Sequence, residues 1–337
     1  MAVLTPGSLT LAEQMKQIGP QGNLLDVVNV LAQYNEIDID APYIMANDRF
    51  TDVSSKVISL PTIGNRRINR GSAGGVGKTA QHREFIEIME ARPFIDSLLL
   101  DSEPDGGIQA RLNQIGIFVE AMAQAKATHL MYGDHSADGE VVNGFLTRTS
   151  DSSKDNVKKM GGNASDTTSL LLVEWDPKRC ALMYPKAVPN GNAANRMVHT
   201  ALGVSEYDNG KQRIEDEEGN AFDAYESVIR VAFGIKLLDD RNIFRLANIE
   251  SSGSSNTLFD TDKINELVYA INKLTSKGRN AVIYCNADVK SQFDIYALEH
   301  LLGCTVSKDT FGQPVTMFRN IPIRLVEAMT STETALA

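Results

Sequence analysis

The segment Gly71-Ser-Ala-Gly-Gly-Val-Gly77-Lys78-Thr79 carries the residue types of a phosphate-binding loop. Such a loop needs a glycine, four residues, then Gly-Lys-Ser/Thr, with amides at a helix N-terminus cradling phosphate while the lysine neutralises it. Here Ser72 stands where the first glycine belongs, and Gly71 lies one residue too early. The preceding Arg66, Arg67, Ile68, Asn69 and Arg70 are not a buried strand that could hold the loop in place. A nucleotide-binding enzyme built on Gly71–Thr79 is therefore the alternative reading. Asp134, His135, Asp138 and Glu140 gather possible metal ligands, but their spacing matches no recognised site, and Ser136, Ala137 and Gly139 make the stretch a solvated loop. His82, His129, His135, His199 and His300 form no HExxH pair, and no Gly-x-Ser-x-Gly elbow exists. Cys180, Cys285 and Cys304 have no CxxC spacing. Trp175 reads as a packing residue, and the Glu215–Glu218 run as a solvated hairpin end. No catalytic, cofactor or metal constellation stands out, so the expectation is no enzyme, no cofactor and no bound metal.

The elements around these residues read as α+β. The clearest helix runs from Gly107 to about Leu130, because Ile108, Leu112, Ile115, Val119 and Met122 form one apolar stripe. That stripe predicts packing of Val119 and Met122 on a sheet, with Gly133 as the C-terminal cap. Phe85–Ala91 is ambiguous. Glu84, Glu87 and Glu90 recur every three residues and slightly favour a helix, while Ile86, Ile88 and the nearby Pro93 suit a strand. Leu24–Tyr34 reads as a short helix and Val53–Leu60 as a strand. Ser169–Trp175 and Cys180–Tyr184 flank Asp176–Arg179 like a hairpin. Asp208-Asn209-Gly210 and Glu218-Gly219-Asn220 are turn signals. Ile229–Leu237 alternates strictly, and Ile243–Ile249 follows as a further strand. Lys263–Thr275 is an amphipathic helix, Ala281–Cys285 a buried strand, and Asp288 the expected cap of the next helix. Short strands follow near 304–307, 314–318 and 321–327.

The chain has 337 residues and a mass of 36.8 kDa. That length suits about two domains with an ample core. Apolar residues at 42% and charged residues at 23% exclude a disordered or collagen-like chain. A net charge of −10 argues against a protein that coats nucleic acid by bulk charge. The start, Met1 to Gln14, has no basic region of a secretory signal, and no apolar run approaches a membrane span. The expectation is a cytoplasm-like setting with no membrane contact.

Three groups of segments, taken in order, resemble the major capsid proteins of tailed bacteriophages, the Hong Kong 97-like fold. The first is the long helix closing on Leu130-Met-Tyr-Gly-Asp134, followed by Gly144–Arg148. The second joins Ser169–Pro185 to Val228–Ile249, in the manner of a podovirus subgroup. The third is Ala281–Asn286, a helix, then Phe318–Arg324, with Asn320 where the family commonly has glycine before Ile-Pro.

The resemblance spans roughly residues 45–330 and implies a division into four parts. These are an N-terminal arm (1–46), an extended E-loop (47–105), a peripheral domain with the spine helix and β-hairpins (106–260), and a small axial α/β domain (261–337). It implies that Phe85–Ala91 is extended and that the 62–80 tip lies over a neighbouring subunit. Arg66, Arg67, Arg70, Lys78, Glu84 and Glu87 are the expected interface residues, and the three arginines would face acidic residues of the neighbour, with Glu84, Glu87 or residues 215–218 as candidates. The implied function is a coat protein that self-assembles, as hexamers and pentamers, into an icosahedral head shell around double-stranded DNA. The implied partners are further copies, scaffold, portal and cement proteins, and DNA held without sequence-specific binding. The implied location is the virion, after assembly in the host bacterial cytoplasm. An encapsulin-like compartment shell is the nearer alternative.

Overall fold

The computed structural model describes residues 33, 35–72, 74–102, 107–162, 166–186, 204–215, 219–250, 261–300, 304–308 and 314–336. All but Gln33 of the helix expected at Leu24–Tyr34, most of the 1–46 arm, His199 and residues 216–218 of the acidic run lie outside the described residues.

Among the described residues, the strands form two sheets. The first joins β1 (Tyr43–Met45), β2 (Thr51–Ser59), β3 (Lys78–Ala91), β4 (Phe94–Asp96), β7 (Cys180–Tyr184), β8 (Val204–Glu215) and β9 (Ala221–Leu237). Its path is β1-β7-β9-β3-β2, with β4 and β8 also on β9. The second joins β5 (Val157–Lys159), β6 (Thr167–Glu174), β10 (Ile243–Glu250), β11 (Ala281–Cys285), β12 (Cys304–Lys308), β13 (Pro314–Phe318) and β14 (Ile321–Leu325), in the order β12-β13-β14-β11-β6-β10-β5. The helices are α1 (Ile37–Asp40), α2 (Ser97–Asp101), α3 (Ile108–Tyr132), α4 (Phe145–Arg148), α5 (Thr261–Lys273) and α6 (Ala287–His300).

Strand β6 shows why the sheets stack as they do. Every residue from Thr167 to Glu174 is buried. Side chains alternate across a strand, so Leu171 and Val173 join a core with Leu182, Phe233, Ile235 and the α3 residues Leu130 and Met131. Leu170 and Leu172 point the other way, into a second core with Leu267 and Ile271 of α5, Leu274 just after it, and Val289 and Phe293 of α6. A run without polar alternation is the signature of a strand covered on both faces.

The same two-sided burial corrects the hairpin expected at Ser169–Tyr184. Asp176–Arg179 does turn, with Cys180 N donating to Asp176 O at 2.9 Å, but β6 and β7 diverge into different sheets. Each is apolar enough to need an interior position, which two strands of one isolated hairpin cannot both have. The second sheet also crosses residue 260, since β5, β6 and β10 pair within the sheet that carries β11 and β14.

Other local expectations change for local reasons. Phe85–Ala91 is strand, not helix, because β3 is bonded to β2 over its first part and to β9 over Ile86–Ala91. Asp208–Gly210 is a bulge inside β8 rather than a turn, with Gly210 at φ 71° and a register shift against β9. The cap of α6 is Asn286, whose Oδ1 accepts from Val289 N at 3.0 Å; Asp288 instead accepts from Ser331 Oγ at 2.5 Å. Gly133 ends α3 at φ −50°, outside the left-handed region. Glycine is needed there for space, since a Cβ would lie 2.3 Å from Val142 O. The stripe on α3 is only partly buried: Met122 is 8% exposed, but Val119 is 47% and Leu112 55%. No helix among the described residues is long and apolar enough to cross a membrane.

Candidate functional site

Strands β2 and β3 form a hairpin whose far end is exposed. They pair antiparallel from Thr51↔Phe85 to Ser59↔Lys78, and residues 60–77 close the tip. Antiparallel pairing satisfies the ladder between the two strands but supplies no core. The side chains beyond Lys56 are therefore left in solvent: Leu60 is 83% exposed, Ile63 89% and Ile68 93%. Arg66, Arg67, Arg70 and Lys78 are all exposed with them. A single turn orders the arginines, with Arg70 N donating to Arg67 O at 3.1 Å and Asn69 at φ 65°. Gly75 lets the two arms approach, since a Cβ there would meet Thr62 O at 2.7 Å.

The base is held more firmly. Lys236 Nζ lies 2.8 Å from Asp52 Oδ2, and Asp52 is 3% exposed. Burial raises the Asp52 pKa, but hydrogen bonds from Lys236, Ser54 and the Asn47 amide outweigh it and hold the carboxyl below the usual range. Val53 N donates to Asn47 Oδ1 at 2.9 Å, which pins the strand's first turn of chain.

Glu84 and Glu87 do not belong to the exposed set. Glu84 receives both arms of Arg148, at 2.6 and 2.7 Å, and lies 2.8 Å from His82 Nε2. Glu87 lies 2.5 Å from His129 Nδ1 and accepts from Val142 N at 3.0 Å. Both are nearly out of solvent, at 6% and 5% exposed. The expectation that they meet a neighbour's arginines is corrected on this ground, because each is engaged inside its own chain. Arg148 and His129 lie 64 and 42 residues away in sequence, so spacing gave no sign of these pairs.

The phosphate-loop geometry is not formed. Gly71–Gly77 runs into strand β3 instead of a helix, so no helix N-terminus gathers amides there. In the 134–140 loop, Asp134 accepts from Ser136 N at 2.9 Å and Asp138 from Glu140 N at 3.0 Å. These carboxylates cap turns, and among the described residues no group of three His, Cys, Asp or Glu converges on a metal position. Cys180 and Cys285 are buried; burial pushes the Cys285 thiol up to about 12 and raises that of Cys180 as well, so neither is poised as a nucleophile. Trp175 packs, donating from Nε1 to Tyr284 Oη at 2.9 Å.

Sequence reasoning missed the groups that tie the second sheet to α3, α4 and the C-terminal segment. Arg245 donates to Glu333 Oε2 at 2.9 Å, to Ser169 Oγ at 2.9 Å and to the carbonyls of Leu146 and Thr149. Glu333 also accepts from Tyr132 Oη at 2.7 Å, where α3 ends. Burial and the Glu333 carboxylate raise the Tyr132 pKa, so the phenol stays a donor. Near the first strand, Arg324 pairs with Asp40 at 3.0 Å and with Glu36 at 3.4 Å.

The comparisons with known proteins agree with this architecture. Residues 19–337 match the family model described as major capsid protein GP7. No curated protein matches the sequence. The bacteriophage Epsilon15 structure superposes with a TM-score of 0.68 at 20% identity, covering 100% of this chain and 99% of that one. The capsid of bacteriophage JBD30 superposes at 0.51 with 9% identity, covering 97% of this chain and 99% of its own. The SrpI encapsulin of Synechococcus elongatus gives 0.48 at 10% identity, over 70% of this chain and 95% of that one, a likeness too slight to argue for a compartment. A long helix, two stacked sheets, an unsupported hairpin and a family match over nearly the whole sequence lead to one conclusion: this chain belongs to the major capsid protein GP7 family and is a tailed-phage coat protein of the Hong Kong 97-like fold.

Proposed function

We propose that copies of this chain associate as hexamers and pentamers into an icosahedral head shell around double-stranded DNA, with the β2–β3 hairpin as a main intersubunit contact. One observation supports this reading above the others. The hairpin carries large apolar side chains to a tip where the described residues offer no cover, which a solitary protein rarely maintains. A neighbour that buries Leu60, Ile63, Ile68 and Val76 removes that cost. Arg66, Arg67, Arg70 and Lys78 then form the charged part of the contact. The four-part division follows the same reading: arm 1–46, hairpin 47–105, peripheral part 106–260 and axial part 261–337, the last two sharing one continuous sheet.

Scaffold, portal and cement proteins are the further partners of this proposal, and the host cytoplasm is the site of assembly. A net charge of −10 suits a wall that encloses DNA without adsorbing it. The chain's role is structural, with no catalytic step. Purified full-length protein imaged by negative-stain electron microscopy tests the proposal. Closed shells are expected, whereas a dispersed monomer under all assembly conditions would overturn it.

A further inference from the structure

The hairpin cannot reach its own base. β2 is nine residues long, so its tip stands about 30 Å from Thr51. At that base the fold leaves an apolar groove of about 390 Å³, lined by Phe50, Phe85, Ile88 and Val141 among others. Three of these are large and open to solvent, with Phe50 44%, Phe85 45% and Ile88 44% exposed. The Phe85 ring is fixed in place by stacking on His135 at 4.8 Å. The groove is therefore a formed surface with nothing seated on it among the described residues.

Its rim is acidic. Asp134, Asp138 and Glu140 stand on the loop that supplies Val141, and Asp138 and Glu140 are exposed with no salt bridge among the described residues. Hydrogen bonds from Ser136 hold Asp134 below the usual carboxylate range, so its charge is kept. The nearby cations Arg49 and Arg83 sit beside a different carboxylate, Asp48. The tip has the opposite character: Ile63 and Ile68 flank Arg66 and Arg67, and Arg70 follows two residues on. Apolar floor meets apolar knob, and acidic rim meets basic tip.

We propose that the groove beside Phe50, Phe85, Ile88 and Val141 receives the hairpin tip of a second copy, with Ile63 or Ile68 on the floor and the tip arginines against Asp138 and Glu140. This inference rests on the shell reading and names the seat of the contact. Opposite charge fixes the register of the two surfaces and rejects wrong seatings.

The test uses Ile68→Cys and Val141→Cys in one full-length chain, assembled and treated with a short bis-maleimide. A ladder of linked chains on a denaturing gel is expected, and neither single variant should give it. In parallel, Asp138→Lys with Glu140→Lys should lower particle yield, and adding Arg66→Glu with Arg67→Glu should restore it. Wild-type shells with no ladder from an assembled double-cysteine variant would overturn the groove assignment and leave the shell reading intact. If the cysteine variant does not assemble, the charge exchange decides: restored yield supports the seat, and unrestored yield overturns it. Absence of wild-type shells would remove the shell reading and this inference together.

Discussion

At the seam where the second sheet meets α4 and the C-terminal segment, Arg245 and Glu333 face each other with side chains 7% and 6% exposed. At the hairpin tip, Arg66, Arg67 and Arg70 stand in water. The same residue type is used to opposite ends. In the seam, removal from water is costly, and the guanidinium is kept only because Glu333, Ser169 and two carbonyls meet its donors. That arrangement fixes where the C-terminal segment crosses α3 and β10, and gives the subunit one internal shape. On the tip, charge costs nothing to the subunit and gives it nothing. Its value appears when another surface arrives.

The comparison is broken most directly at the seam. Glu333→Ala leaves Arg245 buried without its carboxylate and also strips acceptors from Ser169 and Tyr132. A loss of about 3–5 kcal/mol in urea unfolding of the unassembled subunit is expected. A loss under about 1 kcal/mol would mean that the seam is as solvated as the tip.

The hairpin's base lies between these extremes. Asp52→Asn removes a charged acceptor from Lys236, and about 1.5–3 kcal/mol of subunit stability should go with it. The pH dependence has a definite sign. Asp52 is held below the ordinary carboxylate value in the folded chain, so the unfolded chain binds more protons and stability rises with pH. The contribution is present above the unfolded value of about 3.9 and is lost as pH falls through the lowered folded value. Urea midpoints between pH 2 and 6 should fall in the wild type by more than in the variant, and parallel curves would show that Asp52 is not the group responsible.

The sheets and the long helix were legible in the sequence because each repeats a simple period over many residues. Ile229–Leu237 alternates, and Ala281–Cys285 is continuously apolar. The stripe on α3 located the helix but not its buried face, because an apolar side chain on a helix declares only that it wants cover. Met122 finds that cover in its own chain; among the described residues Val119 does not. Phe85–Ala91 was misread locally because three glutamates at helical spacing look solvated, whereas Arg148 and His129 come from distant segments to meet two of them. The hairpin tip was legible as exposed from its glycines and arginines. Its landing groove was not, because Phe50, Phe85, Ile88 and Val141 come from three separate stretches that only the fold brings together. The family resemblance supplied what the periods lacked, placing β3 in an extended hairpin where the local pattern leaned to helix.

The half-open face of α3 sharpens the comparison further. Val119 is 47% exposed, so Val119→Asp should cost the subunit no more than about 0.5–1 kcal/mol, far less than a fully buried position would. Any defect should appear in assembly and not in folding. Thermal unfolding of the subunit beside particle yield separates the two, and an unfolded variant would place Val119 in the core after all.

The smallest effect on the subunit belongs to the tip. Reversing Arg66, Arg67 and Arg70 to Glu should leave its unfolding free energy within about 0.5 kcal/mol, because exposed side chains away from any network contribute little. Assembly should respond differently. Each exposed ion pair across an interface is worth about 0–1 kcal/mol, but a shell repeats the contact at every subunit, so small terms accumulate into the yield of closed particles. Added salt should imitate the triple reversal in part, since charges farther apart than ~8–10 Å are screened at physiological ionic strength. Sedimentation of particles against salt concentration reads both effects on one axis. Wild-type yield should decline with salt toward that of the variant, and the variant should start low and change less. Normal assembly of the variant at low salt would show that the tip holds its neighbour through Leu60, Ile63 and Ile68 alone. The arginines would then serve only to keep that apolar surface soluble before a neighbour covers it.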